Sequence, residues 1–344
     1  QNRLGIHASA AVSLARDNFA SYLKIKPDQL IFTSGATEAN NLALIGHARA
    51  RLIDEGSPGH IITLSTEHRA VLDPCRQLRN EGFKLTELEP DSNGLISIER
   101  LKSAFQNDTF LVSVMMANNE IGVIQPILDI ALICKEHGIK FHTDASQALG
   151  IIPINAEKKM IDFFSLSGHK IYGPKGIGAL IIPEEISISP LQWGGGQENG
   201  LRPGTLPVPL VIGFLKAFEI ATEGYHFRNE KLRLLRDQLL NELQENIPDL
   251  LINGCMLNRL PNNLNITFQG IKSNRLHSSL RPYLTCSSGS ACSNGLPSHV
   301  LMSIGRTIKQ AEASIRLSLG RETNVEDIQM AVEVITKVVK ELRI

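Results

Sequence analysis

The chain has 344 residues, 42% hydrophobic and 20% charged, ordinary values for a globular protein large enough for two domains. Lys plus Arg and Asp plus Glu both number 35, so no global field favours a nucleic acid, a membrane surface or a strongly charged partner, and a small substrate is expected. No apolar run approaches the roughly 20 residues of a membrane-spanning helix. The five cysteines (Cys75, Cys134, Cys255, Cys286, Cys292) show neither CxxC nor metal-ligand spacing, which argues against a disulfide framework or a metal centre and for a reducing, cytoplasmic setting.

From residue 9 to 182, helical periodicity at 9–24, 37–51, 68–80 and 126–137 alternates with short apolar runs at 30–32, 60–64, 109–114, 139–144, 162–166 and 178–182. Strands separated by helical crossovers imply an α/β fold with a mainly parallel sheet covered on both faces. Gly194 to Pro209 is rich in Gly and Pro and reads as a long loop, a kind that is usually functional in compact domains. Helical periodicity resumes at 208–222 and 226–247, followed by strand-like runs near 263–269 and 313–319 and a helix at 325–342. The expected division is a large domain over 1–224 and a smaller α+β domain over 225–344.

Four turns at strand ends carry candidate chemistry. Thr33-Ser34-Gly35-Ala36-Thr37-Glu38 opens a helix whose free N–H groups could bind phosphate, or could simply be capped. Glu67-His68 offers a flat ring at a strand-to-helix junction, where a structural His is equally at home. Asp144, in Phe141-His142-Thr143-Asp144-Ala145-Ser146-Gln147, suits either a helix N-cap or the carboxylate that keeps the ring nitrogen of pyridoxal phosphate protonated. Lys170, in Ser165-Leu166-Ser167-Gly168-His169-Lys170, lies just past a strand end, where open α/β sheets bind ligands and a desolvated amine can condense with an aldehyde cofactor. After a later strand, the Thr285–Gly295 string of small polar residues holds Cys292, whose setting suggests an exposed, mobile thiol. Cys75, Cys134, Cys255 and Cys286 read instead as buried and inert.

Taken in order, FTSGATEANNLAL, TEHRAVL, NNEIG, HTDASQ, SGHKIYGPKGIGAL, GTLPV, SSGSAC and SIRLSLGR resemble the class V aminotransferase-like branch of fold-type I pyridoxal-phosphate enzymes, and within it the cysteine desulfurases of the NifS/IscS type. The resemblance runs from about residue 7 to 340. It implies a homodimer acting on L-cysteine, with pyridoxal phosphate linked to Lys170 and its ring nitrogen facing Asp144. His68 would stack on the ring, and Gln147 would hydrogen-bond the phenolic oxygen. Ala36, Thr37, Ser167 and His169 would bind the phosphate, with Thr205 reaching the partner subunit's site. Asn118 and Arg316 would hold the substrate carboxylate, a task suited to the planar guanidinium fork. SSGSAC matches the IscS-type loop rather than the RxGHHC pattern of the SufS type. Cys292 would therefore receive the sulfur as a persulfide while alanine leaves, with His68 as a proton carrier.

The same fold also hosts aminotransferases and selenocysteine lyases, because the cofactor constellation does not choose the reaction; Cys292 argues against transamination. Two departures from the family pattern stand out: a short strand with an ATTP-like turn is absent before residue 1, from which a missing N-terminal piece is expected, and the chain stops at Ile344 without the extension that docks the iron–sulfur scaffold, which leaves delivery to that scaffold open. The sulfur acceptor is left open among iron–sulfur assembly, tRNA thiolation and DNA phosphorothioation. Residues 201–205 and 281–284 lean weakly toward the last.

Overall fold

A computed structural model describes residues 2–154, 160–271, 273–288 and 297–343. The chain forms two compact units: residues 1–88, 98–116 and 125–223, and residues 89–97, 117–124 and 224–344. The second unit thus takes two excursions from the N-terminal part of the chain, and the NNEIG string lies on one of them.

The first unit holds seven strands: β1 (Leu30–Thr33), β2 (His60–Leu64), β3 (Lys84–Leu88), β4 (Thr109–Ser113), β5 (Lys140–Asp144), β6 (Phe163–Ser167) and β7 (Gly178–Ile181). Their order is β1-β7-β6-β5-β4-β2-β3, parallel throughout from β6 to β3, with β7 antiparallel to both β6 and β1. Helices α1 (Arg3–Leu23), α2 (Ala36–Asn41), α3 (His47–Glu55), α4 (Arg69–Asn80), α5 (Ile98–Ser103), α6 (Ile127–Glu136) and α7 (Val208–Thr222) accompany it. Most strands are buried at every position, as crossover-covered parallel strands must be, and so read as apolar runs without alternation. β3 is the exception. It lies at the sheet edge with its first four residues partly exposed, and its Lys-Leu-Thr-Glu-Leu sequence lacks the apolar run that marks the others.

The helix expected at 37–51 runs from α2 to α3 through a π-turn at Leu42–Gly46. Gly46 is required there by close approach: an added Cβ would sit 2.7 Å from both the Ile188 side chain and the Ser189 carbonyl. The helix expected at 9–24 starts earlier, at Arg3, where the Asn2 side chain accepts the Gly5 N–H as an N-cap. α1 packs on α7 through Phe19, whose ring lies 4.8 Å from that of Phe214 and 4.9 Å from that of Phe218.

The second unit is built on β8 (Leu251–Ile252), β9 (Asn263–Thr267), β10 (Ser287–Ser288) and β11 (Ser314–Ser318), an antiparallel sheet of order β10-β11-β9-β8. Its helices are α8 (Tyr225–Asn246), α9 (Ser273–Leu280), α10 (His299–Ser303), α11 (Ile308–Glu312) and α12 (Val325–Leu342). Period-two alternation turns Leu264 and Ile266 of β9 and Ile315 and Leu317 of β11 into the core formed with α8 and α12. It places Asn265 and its cross-strand partner Arg316 on the opposite face.

Among the described residues, no helix is long and apolar enough to cross a membrane. Cys75 and Cys134 are buried as expected, and burial pushes the Cys134 thiol up to about 12. Cys255 and Cys286 are only half-buried, which corrects the expectation for both. Cys286 precedes β10 rather than sitting inside a strand, and its Sγ lies 3.5 Å from His277 Nδ1.

The long loop after Trp193 is pinned to the first unit by one buried carboxylate. Glu198, 7% exposed, pairs with Arg16 of α1 and accepts the Phe32 N–H of β1 at 2.6 Å. Removing the cation strands a buried anion, which costs far more than losing a surface pair. Arg16→Ala is expected to lower unfolding free energy by about 3 kcal/mol in urea titrations; a loss under about 0.5 kcal/mol would place the pair among ordinary surface contacts.

Candidate active site

The parallel strands end together at one edge of the sheet, and four of the singled-out turns of the first unit emerge there. β7 makes this possible, because Gly178 pairs with Thr33 of β1 on one side and Ser167 of β6 on the other. A Cβ at Gly178 would sit 2.7 Å from Gly35 Cα and closer still to the Leu166 carbonyl, so only glycine lets the two turns approach. Gly35 itself holds φ 151° and ψ 179°, a region open essentially to glycine alone. Ala36 and Thr37 follow it at the start of α2, which packs against β6 and β7. Glu38 fixes this turn by accepting the Ser34 N–H (2.6 Å) and Arg202 Nε (2.9 Å). Burial disfavours its charge, yet these donors together hold the carboxylate below its ordinary range.

Ser167, fully buried at the end of β6, shares a hydrogen bond with His169 Nδ1 at 2.9 Å. Lys170 follows in the 3-10 turn Gly168–Ile171 and is exposed. Asp144 closes β5 and is 6% exposed; its Oδ2 accepts Asn40 Nδ2 (2.7 Å) and its Oδ1 accepts the Ser146 N–H (2.9 Å). Gln147 is half-buried three residues beyond it. His68 caps α4, its Nδ1 accepting the Ala70 N–H at 3.1 Å, so Nε2 carries the proton of the neutral ring. Burial lowers the basicity of His68; the charge of Asp144 opposes this and that of Lys170 adds to it, so both charges are felt at the His68 ring.

Three supporting residues escaped the sequence reading. Asn40 lies one helical turn beyond Ala36 and reaches Asp144. Glu67, fully buried, accepts the Met115 N–H at 2.6 Å and ties the His68 turn to the chain just past β4; burial raises its carboxyl well above the ordinary value. His142 is wedged between Ser113 (2.7 Å) and Ser165 (3.0 Å), and burial pushes it down to about 4, so it is neutral and structural. Spacing in the ANN and TEH strings signals the first two, but only packing shows what they touch.

Amine, carboxylate, imidazole and a glycine turn at a helix start form a set of groups that fits an aromatic aldehyde phosphate. Asn40 Oδ1 and the Ser146 hydroxyl are buried near it without a hydrogen-bond partner among the described residues. Thr205 is exposed on the same unit, after a turn in which Gln197 Oε1 accepts the Gly204 N–H at 3.0 Å.

The second unit holds Asn118 and Arg316. The Asn118 Oδ1 accepts the N–H groups of Glu120 (2.8 Å) and Ile121 (2.9 Å), which orients its amide nitrogen as a donor. Arg316 donates from Nη1 to the Asn119 carbonyl at 2.6 Å, so the two candidate carboxylate holders do lie together. Its Nε is buried with no hydrogen-bond partner among the described residues. Cys292 lies outside the described residues.

The family model for aminotransferase class V matches residues 1–330. The cysteine desulfurase IscS of Histophilus somni (strain 129Pt) is 44% identical over 346 aligned positions, spanning 99% of this chain and 84% of the relative. The solved structure of a NifS-like protein superposes with a TM-score of 0.92 at 35% identity, covering 99% of this chain and 90% of that one. SspA in complex with cysteine matches with a TM-score of 0.80 at 38% identity, covering 93% and 89%. The chain belongs to the class V aminotransferases, a family of pyridoxal-phosphate enzymes, and groups there with the cysteine desulfurases.

Proposed function

We propose that the protein is a cytoplasmic homodimer that moves the sulfur of L-cysteine onto Cys292 as a persulfide, releases L-alanine and passes the sulfane sulfur to an acceptor protein. The observation that carries this reading is the convergence of Lys170, Asp144 and His68 in a chain 44% identical to a named cysteine desulfurase. When bound, pyridoxal phosphate supplies an electron sink for charge developing at the substrate Cα.

The chain's own residues supply the rest. Lys170 would hold the cofactor, and its Nζ, once free, would take the Cα proton and later return it to Cα. Asp144, fixed by Asn40 and the Ser146 N–H, keeps the ring nitrogen protonated. Ala36, Thr37, Ser167 and His169 bind the phosphate, and Gln147 bonds the phenolic oxygen. His68, neutral at physiological pH, stacks on the ring and moves a proton through Nε2. Asn118 and Arg316 bind the substrate carboxylate. The Cys292 thiolate attacks the substrate sulfur; an S–S bond forms as the C–S bond breaks, the electron pair stays on carbon, and a proton completes the methyl group of alanine.

The dimer is supported by exposed apolar side chains on the first unit, with Trp193 82% and Leu4 81% accessible, and by the exposure of Thr205 at the end of its pinned loop.

Variants at three residues check this assignment. The absorbance band of lysine-linked cofactor is expected in the wild type and lost in Lys170→Ala; a band unchanged in the variant contradicts the linkage. Cys292→Ser is expected to bind cofactor and L-cysteine yet form no alanine, while wild type briefly exposed to L-cysteine carries one added, reducible sulfur on the Cys292 peptide; sulfur on Cys286 instead would identify another nucleophile. Thr205→Ala is expected to weaken cofactor binding roughly 10- to 100-fold, the worth of a charge-assisted hydrogen bond. Mixed Lys170→Ala and Thr205→Ala subunits should regain activity through one intact site per hybrid. No recovery in hybrids would place Thr205 in its own subunit's site.

A further inference from the structure

Beside Asn118 and Arg316 lies a carboxyl group that the reaction does not use. Glu120 is 3% exposed, and its Oε2 accepts the Ser298 hydroxyl at 2.5 Å. Its main chain is held as firmly as its side chain. Its N–H donates to Asn118 Oδ1, and its carbonyl accepts Asn263 Nδ2 (3.2 Å) and Asn265 Nδ2 (3.1 Å) from β9. Gly122 lets the turn lie this close to β9: it holds φ 70°, and an added Cβ would overlap the Asn263 side chain. The neighbouring Asn119 carbonyl takes the Arg316 guanidinium. One short turn therefore orients the Asn118 amide, anchors Arg316 and buries an acid.

We infer that Glu120 is a positioning residue for substrate binding, acting through Arg316 and Asn118 on the carboxylate of the bound amino acid. This rests on the assignment of Arg316 and Asn118 to that carboxylate. Among the described residues the charged group that acts on Glu120 is Arg316 from β11; β9 presents amides, and the N-cap of α10 presents the Ser298 hydroxyl. An ionised Glu120 partly neutralises the field that Arg316 offers a substrate anion, and a protonated one leaves that field whole. Burial pushes the Glu120 carboxyl up to about 7, against the lowering effects of Ser298 and Arg316. Below that pH the group is neutral and carboxylates bind more tightly; above it the added negative charge weakens them. A bound carboxylate in turn favours the protonated form of Glu120, as linkage requires.

The test uses the holoenzyme and 3-mercaptopropionate, which carries the carboxylate and thiol of cysteine but no amine to react with the cofactor. Its Kd, measured by calorimetry, is expected to rise about five- to tenfold from pH 6 to pH 8.5 in the wild type, the size of one partly screened charge interaction. Glu120→Gln, which keeps an acceptor for Ser298 but cannot ionise, should lose most of that rise. Ser298→Ala removes a bond that favours the ionised form, so the rise should persist with its midpoint moved up by about half a unit or more. The same rise in Glu120→Gln as in wild type overturns the inference, as does an unmoved midpoint in Ser298→Ala. Arg316→Ala separates this from the reading beneath it. Kd weakened about tenfold or more at pH 6 supports the carboxylate assignment whatever Glu120 does; an unchanged Kd overturns the assignment and the inference with it.

Discussion

The first unit depends on holding a carboxylate, Asp144, almost out of water at the end of a central parallel strand. A buried charge survives only if its lone pairs are met, and here they are met by Asn40 of α2 and by the Ser146 N–H. The Asn40 bond joins the end of β5 to the helix that begins after the Gly35 turn. Gly178 draws that turn against the end of β6, which leads to Lys170. Anchoring one acid thus fixes the relative places of Asp144, the Gly35 turn and the segment that carries Lys170. His68 is held from the other side by Glu67, whose bond to the Met115 N–H spans β2 and β4. Most of these residues sit at strand ends or helix starts, and Asn40 one turn further along α2, so rigid elements rather than loop sequence set their positions.

The second unit solves a different problem, orienting a cation without an ion pair among the described residues. The pleat of β11 sends Ile315 and Leu317 into the core and Arg316 to the other face, where a carbonyl rather than a carboxylate receives it. A carbonyl fixes the direction of the guanidinium while leaving its charge unspent. Glu120 stands near enough to modulate that charge, and its turn enters the second unit from a distant part of the sequence.

Much of this was legible in the residues. Crossover-covered strands announce themselves as apolar runs, and the helices at 208–222 and 325–342 match their periodicity. Lys170, Asp144 and His68 could be picked out because strand-to-turn junctions are where α/β sheets place ligands, and their order matched a known family. What stayed hidden lacked a local signal. β3 is an amphipathic edge strand, β8 and β10 span two residues each, and the π-turn at Leu42–Gly46 looks like any helix. Asn40, Glu67 and Glu120 carry no chemistry of their own in the sequence, since each matters only through what folding brings beside it. The half-burial of Cys255 and Cys286 was misread for the same reason, because exposure of a small thiol depends on neighbours remote in the chain.

In the proposed function the enzyme itself stores the sulfur between two separable steps. Rapid-quench analysis of holoenzyme mixed with excess L-cysteine, on a timescale too short for free cysteine to reduce a persulfide and with no other reductant or acceptor present, tests this. A burst of one alanine per chain is expected, followed by a stall that added dithiothreitol relieves as sulfide appears. Alanine formed steadily without a burst, or sulfide released in step with alanine before any reductant is added, would contradict storage on the protein.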